Sequence, residues 1–137
     1  MSTWDYEDAG LPTDALQIQS ITITPDPPQP GSPAKMTIKA TVQEAIEEGA
    51  FYNLTVKLGL IKLLQKQIDL FEELRSGTLT VTPDPAGGPI KPGEVELTYA
   101  LNLPREVPKA KFNLDVAAFN ANEEDLATLK FRFDFTR

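Results

Sequence analysis

Two neighbouring stretches decide the fold: Ser20 to Val42, SITITPDPPQPGSPAKMTIKATV, and Glu48 to Phe71, EGAFYNLTVKLGLIKLLQKQIDLF. In the first, Met36, Ile38, Ala40 and Val42 alternate with Thr37, Lys39, Thr41 and Gln43. That period of two is a strand with one face on a core and one in water. In the second, Tyr52, Leu54, Val56, Leu58 and Leu60 form an inward stripe, with Phe51, Asn53, Thr55 and Lys57 facing out. Glu47, Glu48 and Gly49 turn the chain between them.

The same alternation recurs outward from these stretches. Leu16 and Ile18 alternate, then Ile21 and Ile23 do so in the opposite phase, which calls for a bulge near Gln19 and Ser20. Pro25, Pro27, Pro28, Pro30 and Pro33, with Gly31 among them, forbid ladder hydrogen bonds and mark a firm loop. Ile68 and Leu70 suggest a fourth strand, and Leu79 and Val81 a short fifth. Pro83 to Gly93 reads as a loop. Val95, Leu97, Tyr99, Leu101 and Leu103 predict a sixth strand, and Phe112, Leu114, Val116 and Ala118 a seventh. Pro104 and Pro108 bracket a basic turn between these two. After a polar turn from Asn120 to Asp125, Leu129, Phe131, Phe133 and Phe135 finish the chain. Helix signals are scarce. Seven or eight short strands with regular turns predict an all-β, immunoglobulin-like antiparallel sandwich. A closed barrel is the alternative; the proline-rich crossover and the phase flip favour strands that change sheets.

Length and charge set further bounds. The 137 residues are the size of a single domain, 1–137, and can bury a core without disulfide or metal. Five of the 20 acids lie in the first 30 residues, which hold no Lys or Arg, and the rest nearly balance the 13 bases. The acidic start, 1–14, reads as a solvated arm. A net charge of −7 with no basic face excludes nucleic acid as the expected partner. No apolar run is long enough to span a bilayer. Met1 to Leu11 has neither a basic nor an apolar signal region. With no cysteine, a cytoplasmic location is expected, or secretion if a leader precedes the chain.

Here the residues resemble a known family. Trp4-Asp5-Tyr6-Glu7-Asp8, Gly10-Leu11-Pro12-Thr13-Asp14, Pro25 to Gly31, Glu48-Gly49-Ala50, Val56 to Ile61, Asp69-Leu70 and Leu103 to Pro108 follow one another as in the MD-2-related lipid-recognition (ML) domains. The likeness is to the fungal phosphatidylglycerol/phosphatidylinositol transfer proteins, relatives of the Niemann-Pick type C2 sterol carrier. It runs from about Trp4 to Phe135. The resemblance implies a ligand cavity between two sheets. It also implies cysteines where Ala9, Phe71 and Thr128 stand, with the partner of the Phe71 position near Val81 to Pro83. The bridges are missing together while the strands remain. That reads as adaptation to a reducing compartment or as deliberate engineering. Burial of Phe71 could recover part of what a bridge contributes.

An apolar cavity would be lined by the inward stripes: Met36, Ile38, Val42, Tyr52, Leu54, Val56, Leu58, Leu60, Leu97, Tyr99, Leu101, Phe112, Leu114, Val116, Phe131 and Phe133. Plain core packing is the competing reading for each. Between Gly59 and Lys66 the alternation breaks: Leu60, Ile61, Leu63 and Leu64 sit among Lys57, Lys62 and Lys66. This is either a strand buried on both sides, an edge covered by a loop, or a cavity mouth of Ile61, Lys62, Leu63, Leu64 and Lys66. In the last case the lysines would meet anionic headgroups. Strand parity places Ile61 opposite Leu58 and Leu60, facing out. The resemblance puts Val107 and Pro108 on the opposite lip.

With no His and no Cys, the usual acid–base group near neutral pH and thiolate chemistry are both missing. Glu47-Glu48, Glu72-Glu73 and Glu123-Glu124-Asp125 read as solvated turns, and Asp69 and Asp115 as outward strand positions. No cofactor, metal or catalytic residue is expected. The reading is binding, with transfer between membranes, of a lipid or other hydrophobic molecule by a monomer or weak dimer that touches membranes transiently. The rivals are an enzyme built on the same pocket, with a carboxylate or a tyrosine such as Tyr52 or Tyr99 working inside it, a protein-interaction module, and a lipid-sensing subunit.

Overall fold

The structure is a computed structural model that describes residues 4–25, 28–102, 105–106 and 109–136. Leu103, Pro104, Val107 and Pro108, read above as a strand end, a turn and a lip, lie outside the described residues. Nine strands and one short helix follow in order. They are β1 (Trp4–Asp8), β2 (Leu16–Thr24), β3 (Pro33–Val42), β4 (Phe51–Leu58), β5 (Ile61–Asp69), α1 (Leu70–Ser76), β6 (Leu79–Thr82), β7 (Gly93–Asn102), β8 (Lys111–Phe119) and β9 (Asp125–Asp134). A five-stranded sheet runs β1-β9-β8-β4-β5 and a four-stranded sheet runs β2-β3-β7-β6. Every named pairing is antiparallel. The sandwich expected from alternation is therefore present.

Register fixes the inner faces, because residues directly opposite in a ladder share a face. In the larger sheet the inner rows run Tyr52↔Ala118, Leu54↔Val116, Val56↔Leu114 and Leu58↔Phe112, continuing to Leu129, Phe131 and Phe133 on β9. The phase flip in β2 is a real irregularity, a register shift between Ile18 and Ser20. It lets Ile21 and Ile23 reach the core at 5% and 3% exposure.

Two expectations change. The acidic start is not a free arm over Trp4–Asp8: β1 pairs along β9, from Trp4↔Phe133 to Asp8↔Leu129. Its acids do face solvent, while the Trp4 ring stacks near Phe133 and Tyr6 lies against Phe131. The second change concerns Leu70, which begins a helix rather than continuing a strand. The Asp69 carboxylate accepts from the backbone N–H groups of Phe71 and Glu72, at 3.0 and 3.2 Å, and so caps α1. Asp69 thus has a local structural task instead of facing out idly. Gly77 closes the helix at φ 83°, a left-handed value suited to glycine.

The positions where the resemblance implies cysteines can be located in the fold. Ala9 N–H donates to the Thr128 carbonyl at 2.9 Å, so those two positions are neighbours. Phe71 is 3% exposed and shares a buried cluster with Val81. A buried aromatic side chain is worth on the order of 1.5–3 kcal/mol, comparable to one bridge. At the same end as Phe71, Asn120 donates to the Ala45 carbonyl and accepts from Glu47 N–H, tying two loops together.

Candidate lipid cavity and its mouth

The interior is divided. One buried cluster gathers Val42, Ile46, Phe71, Leu79, Val81, Val95, Leu97 and Leu126. The other gathers Ile21, Ile23, Met36, Leu129, Phe131 and Phe133. Ile18, Ile38 and Tyr99 are half-buried and touch both. Among the candidate lining residues, Met36, Val42, Leu97, Phe131 and Phe133 are thus packed core, while Phe112, Leu114, Val116 and Leu101 are half-buried against the second cluster.

Leu54, Val56 and Leu58 differ from all of these. They face the opposite sheet, remain half-buried, and pack against neither cluster. The topology explains it. On the facing sheet β6 pairs with β7 only from Leu79↔Tyr99 to Thr82↔Glu96. Ala100 N–H still donates to the Thr78 carbonyl, and beyond Ala100 no strand among the described residues pairs with β7 on that side. The wall formed by β4 and β5 overhangs this gap.

β5 forms the rim. From Ile61 to Gln67 every residue is exposed, which removes the readings in which the segment is buried on both sides or covered by a loop. Gly59, at φ +60°, opens a two-residue turn with Leu60. Leu60 is fully exposed at the tip, so it does not line the interior as the inward stripe predicted. The tight turn also overturns the parity argument for Ile61. Ile61 pairs with Leu58 and shares its inner face, yet stays 63% exposed because nothing covers it. Leu64 and Lys66 pair with Val56 and Leu54, on the same side. A register shift leaves Leu63 unpaired, and Lys62, opposite Lys57, lies on the outer face. Lys57 in turn sits 3.6 Å from Asp115.

The deep end of the gap carries polar groups. Tyr52 of β4 and Tyr99 of β7 hydrogen-bond to one another through their hydroxyls, across the two sheets. Tyr52 Oη also donates to Glu73 Oε1 of α1 at 2.6 Å. Burial, then the Glu73 carboxylate, hold both phenols above the ordinary tyrosine range. Both hydroxyls are therefore protonated near neutrality. Glu73 was read as a solvated turn; the Asp-x-x-Glu pattern from Asp69 to Glu72 could have revealed the helix that aims it inward. Among the described residues no group of three His, Cys, Asp or Glu side chains could hold a metal.

The ML domain profile matches residues 5–135. The chain belongs to the ML domain family. The phosphatidylglycerol/phosphatidylinositol transfer protein of Cryptococcus neoformans is 43% identical over 99% of this chain and 73% of its own length. The protein of the same name from Mycosarcoma maydis is 33% identical over 96% of this chain and 66% of its own. Among solved structures, a Niemann-Pick type C2 protein from the Japanese carpenter ant superposes with a TM-score of 0.67 at 15% identity. It covers 93% of this ML domain and 96% of the ant chain, which supports the fold. The family expected from the sequence is thereby shown. No helix among the described residues is long and apolar enough to cross a membrane.

Proposed function

We propose that this ML domain binds a lipid between its sheets and transfers it between membranes, with no chemical step. The observation that carries this is the uncovered inner wall of Leu54, Val56 and Leu58, continuous with the exposed Ile61 and Leu64 of β5. Half-buried apolar side chains that face inward and pack against neither core cluster gain when an apolar chain fills the space. The names of the fungal relatives agree with a phospholipid cargo. Leu60, Leu63 and the rim lysines Lys62 and Lys66 would meet the bilayer, apolar groups entering the interface and ammonium groups meeting anionic headgroups.

Transfer of a fluorescent phospholipid between vesicles containing phosphatidylglycerol tests this. The wild-type protein should accelerate transfer. The double variant Lys62→Glu, Lys66→Glu should lose most of its preference for anionic vesicles, and high salt should imitate that loss by screening. Absence of uptake by the delipidated wild-type protein would overturn the binding reading; unchanged vesicle preference in the variant would overturn the docking reading.

A further inference from the structure

The uncovered wall stops at one level of the sandwich. Along β4 the inner row runs inward from Leu58 through Val56 and Leu54 to Tyr52, a rise of roughly 20 Å at the usual strand spacing. At Tyr52 the space between the sheets is crossed. The Tyr52 hydroxyl meets that of Tyr99 on the facing sheet, and the two rings stand edge to face with centroids 6.5 Å apart. The pairing of β6 with β7 begins at the same level, with Leu79↔Tyr99. A third element fixes the crossing. Tyr52 donates its one proton to Glu73 of α1 at 2.6 Å, so the contact between the hydroxyls uses the proton of Tyr99. On the far side of the crossing Leu97, Leu79 and Phe71 are buried in packed core.

We infer that the Tyr52–Tyr99 pair, held by Glu73, is the end wall of the gap and sets the longest apolar chain that the protein accommodates. This rests on the cavity reading above and adds a chain-length limit to it. Leu58, Val56 and Leu54 offer no polar partner, so the polar end of a lipid stays at the rim and its chain runs inward. The terminal methyl group then faces the two tyrosines. Their hydroxyls are paired with each other and Tyr52 with Glu73, so an apolar terminus strands no polar group there. Going further is different. A chain that entered between the rings would part the hydroxyls and leave a half-buried polar group without a partner. That costs more than one further buried methylene returns. A wall of two leucines would impose no such penalty, since apolar side chains move apart without losing a hydrogen bond.

The test displaces anilinonaphthalene sulfonate from the delipidated protein with saturated fatty acids of increasing length, from decanoate to eicosanoate. An extended hexadecanoyl chain is about as long as the wall from Leu58 to Tyr52. In the wild type, affinity should therefore climb up to about hexadecanoate and then level off. In Tyr99→Leu, with the fold checked by its melting curve, octadecanoate should bind about tenfold more tightly than hexadecanoate, as two further buried methylenes give. Should that variant fail to fold, Tyr52→Phe serves in its place. It keeps both rings and removes the hydrogen bonds that close the wall, so the levelling point should again move to a longer chain. A wild-type affinity that keeps climbing to eicosanoate overturns the end wall while leaving the cavity intact. An unchanged levelling point in the folded variant overturns the role of the tyrosine pair. Displacement by none of the fatty acids overturns the cavity reading itself.

Discussion

Phe131 on β9 and Val56 on β4 both point between the sheets, with β8 between their strands, yet their surroundings differ. Phe131 is 4% exposed and packed with Ile21, Ile23 and Met36 from the facing sheet. Val56 is half-buried and packed against neither cluster. The side chains are equally apolar, so hydrophobicity does not set the difference. Coverage does. β2 and β3 lie across from β9, whereas β6 is four residues long and leaves the β4 wall overhanging. A sandwich can thus keep one half as a stabilising core and leave the other half open for a ligand by shortening one edge strand.

The sharpest way to break this comparison is to truncate both sides and measure denaturant unfolding. Phe131→Ala should cost about 3–5 kcal/mol, the usual result of emptying a packed aromatic site. Val56→Ala in the delipidated protein should cost less than about 1 kcal/mol, because few packing contacts are lost there. Added lipid should stabilise the wild type more than Val56→Ala. Equal costs at the two positions would show that both halves are filled. The smallest effect is expected at the rim: Ile61→Asp should leave the unfolding midpoint nearly unchanged, since an exposed carboxylate loses no solvation, while vesicle transfer slows. A strong loss of stability at Ile61 would mean that this side chain is covered in solution.

The filled half was largely legible in the sequence. Period-two runs such as Met36 to Val42 and Leu129 to Phe135 need no more than alternation to be placed, and the phase flip between Ile18 and Ile21 announced its irregularity. The open half was legible in composition but not in geometry. Alternation marks which side chains face inward; it carries no information on whether anything faces them, so Leu97 and Leu54 looked alike. Ile61 was assigned to the wrong face because a two-residue turn restarts the pairing, and counting straight through Gly59 and Leu60 ignores that reset. The α1 helix was hidden because Ile68 and Leu70 imitate a strand, and seven residues are too few to display a helical period. β1 was hidden by its acids, although Trp4 and Tyr6 alternate with them.

The position of β5 at the sheet border has a consequence for solubility. Nine residues long, it ends the larger sheet, and its outer row of backbone N–H and C=O groups has no strand partner among the described residues. Such a border, with Leu60, Ile61, Leu63 and Leu64 exposed, is a template for pairing with another copy. Lys62 and Lys66 are the charges that oppose such pairing along this strand. Concentrated protein should therefore self-associate first through this border, and salt, by screening those two ammonium groups, should promote it.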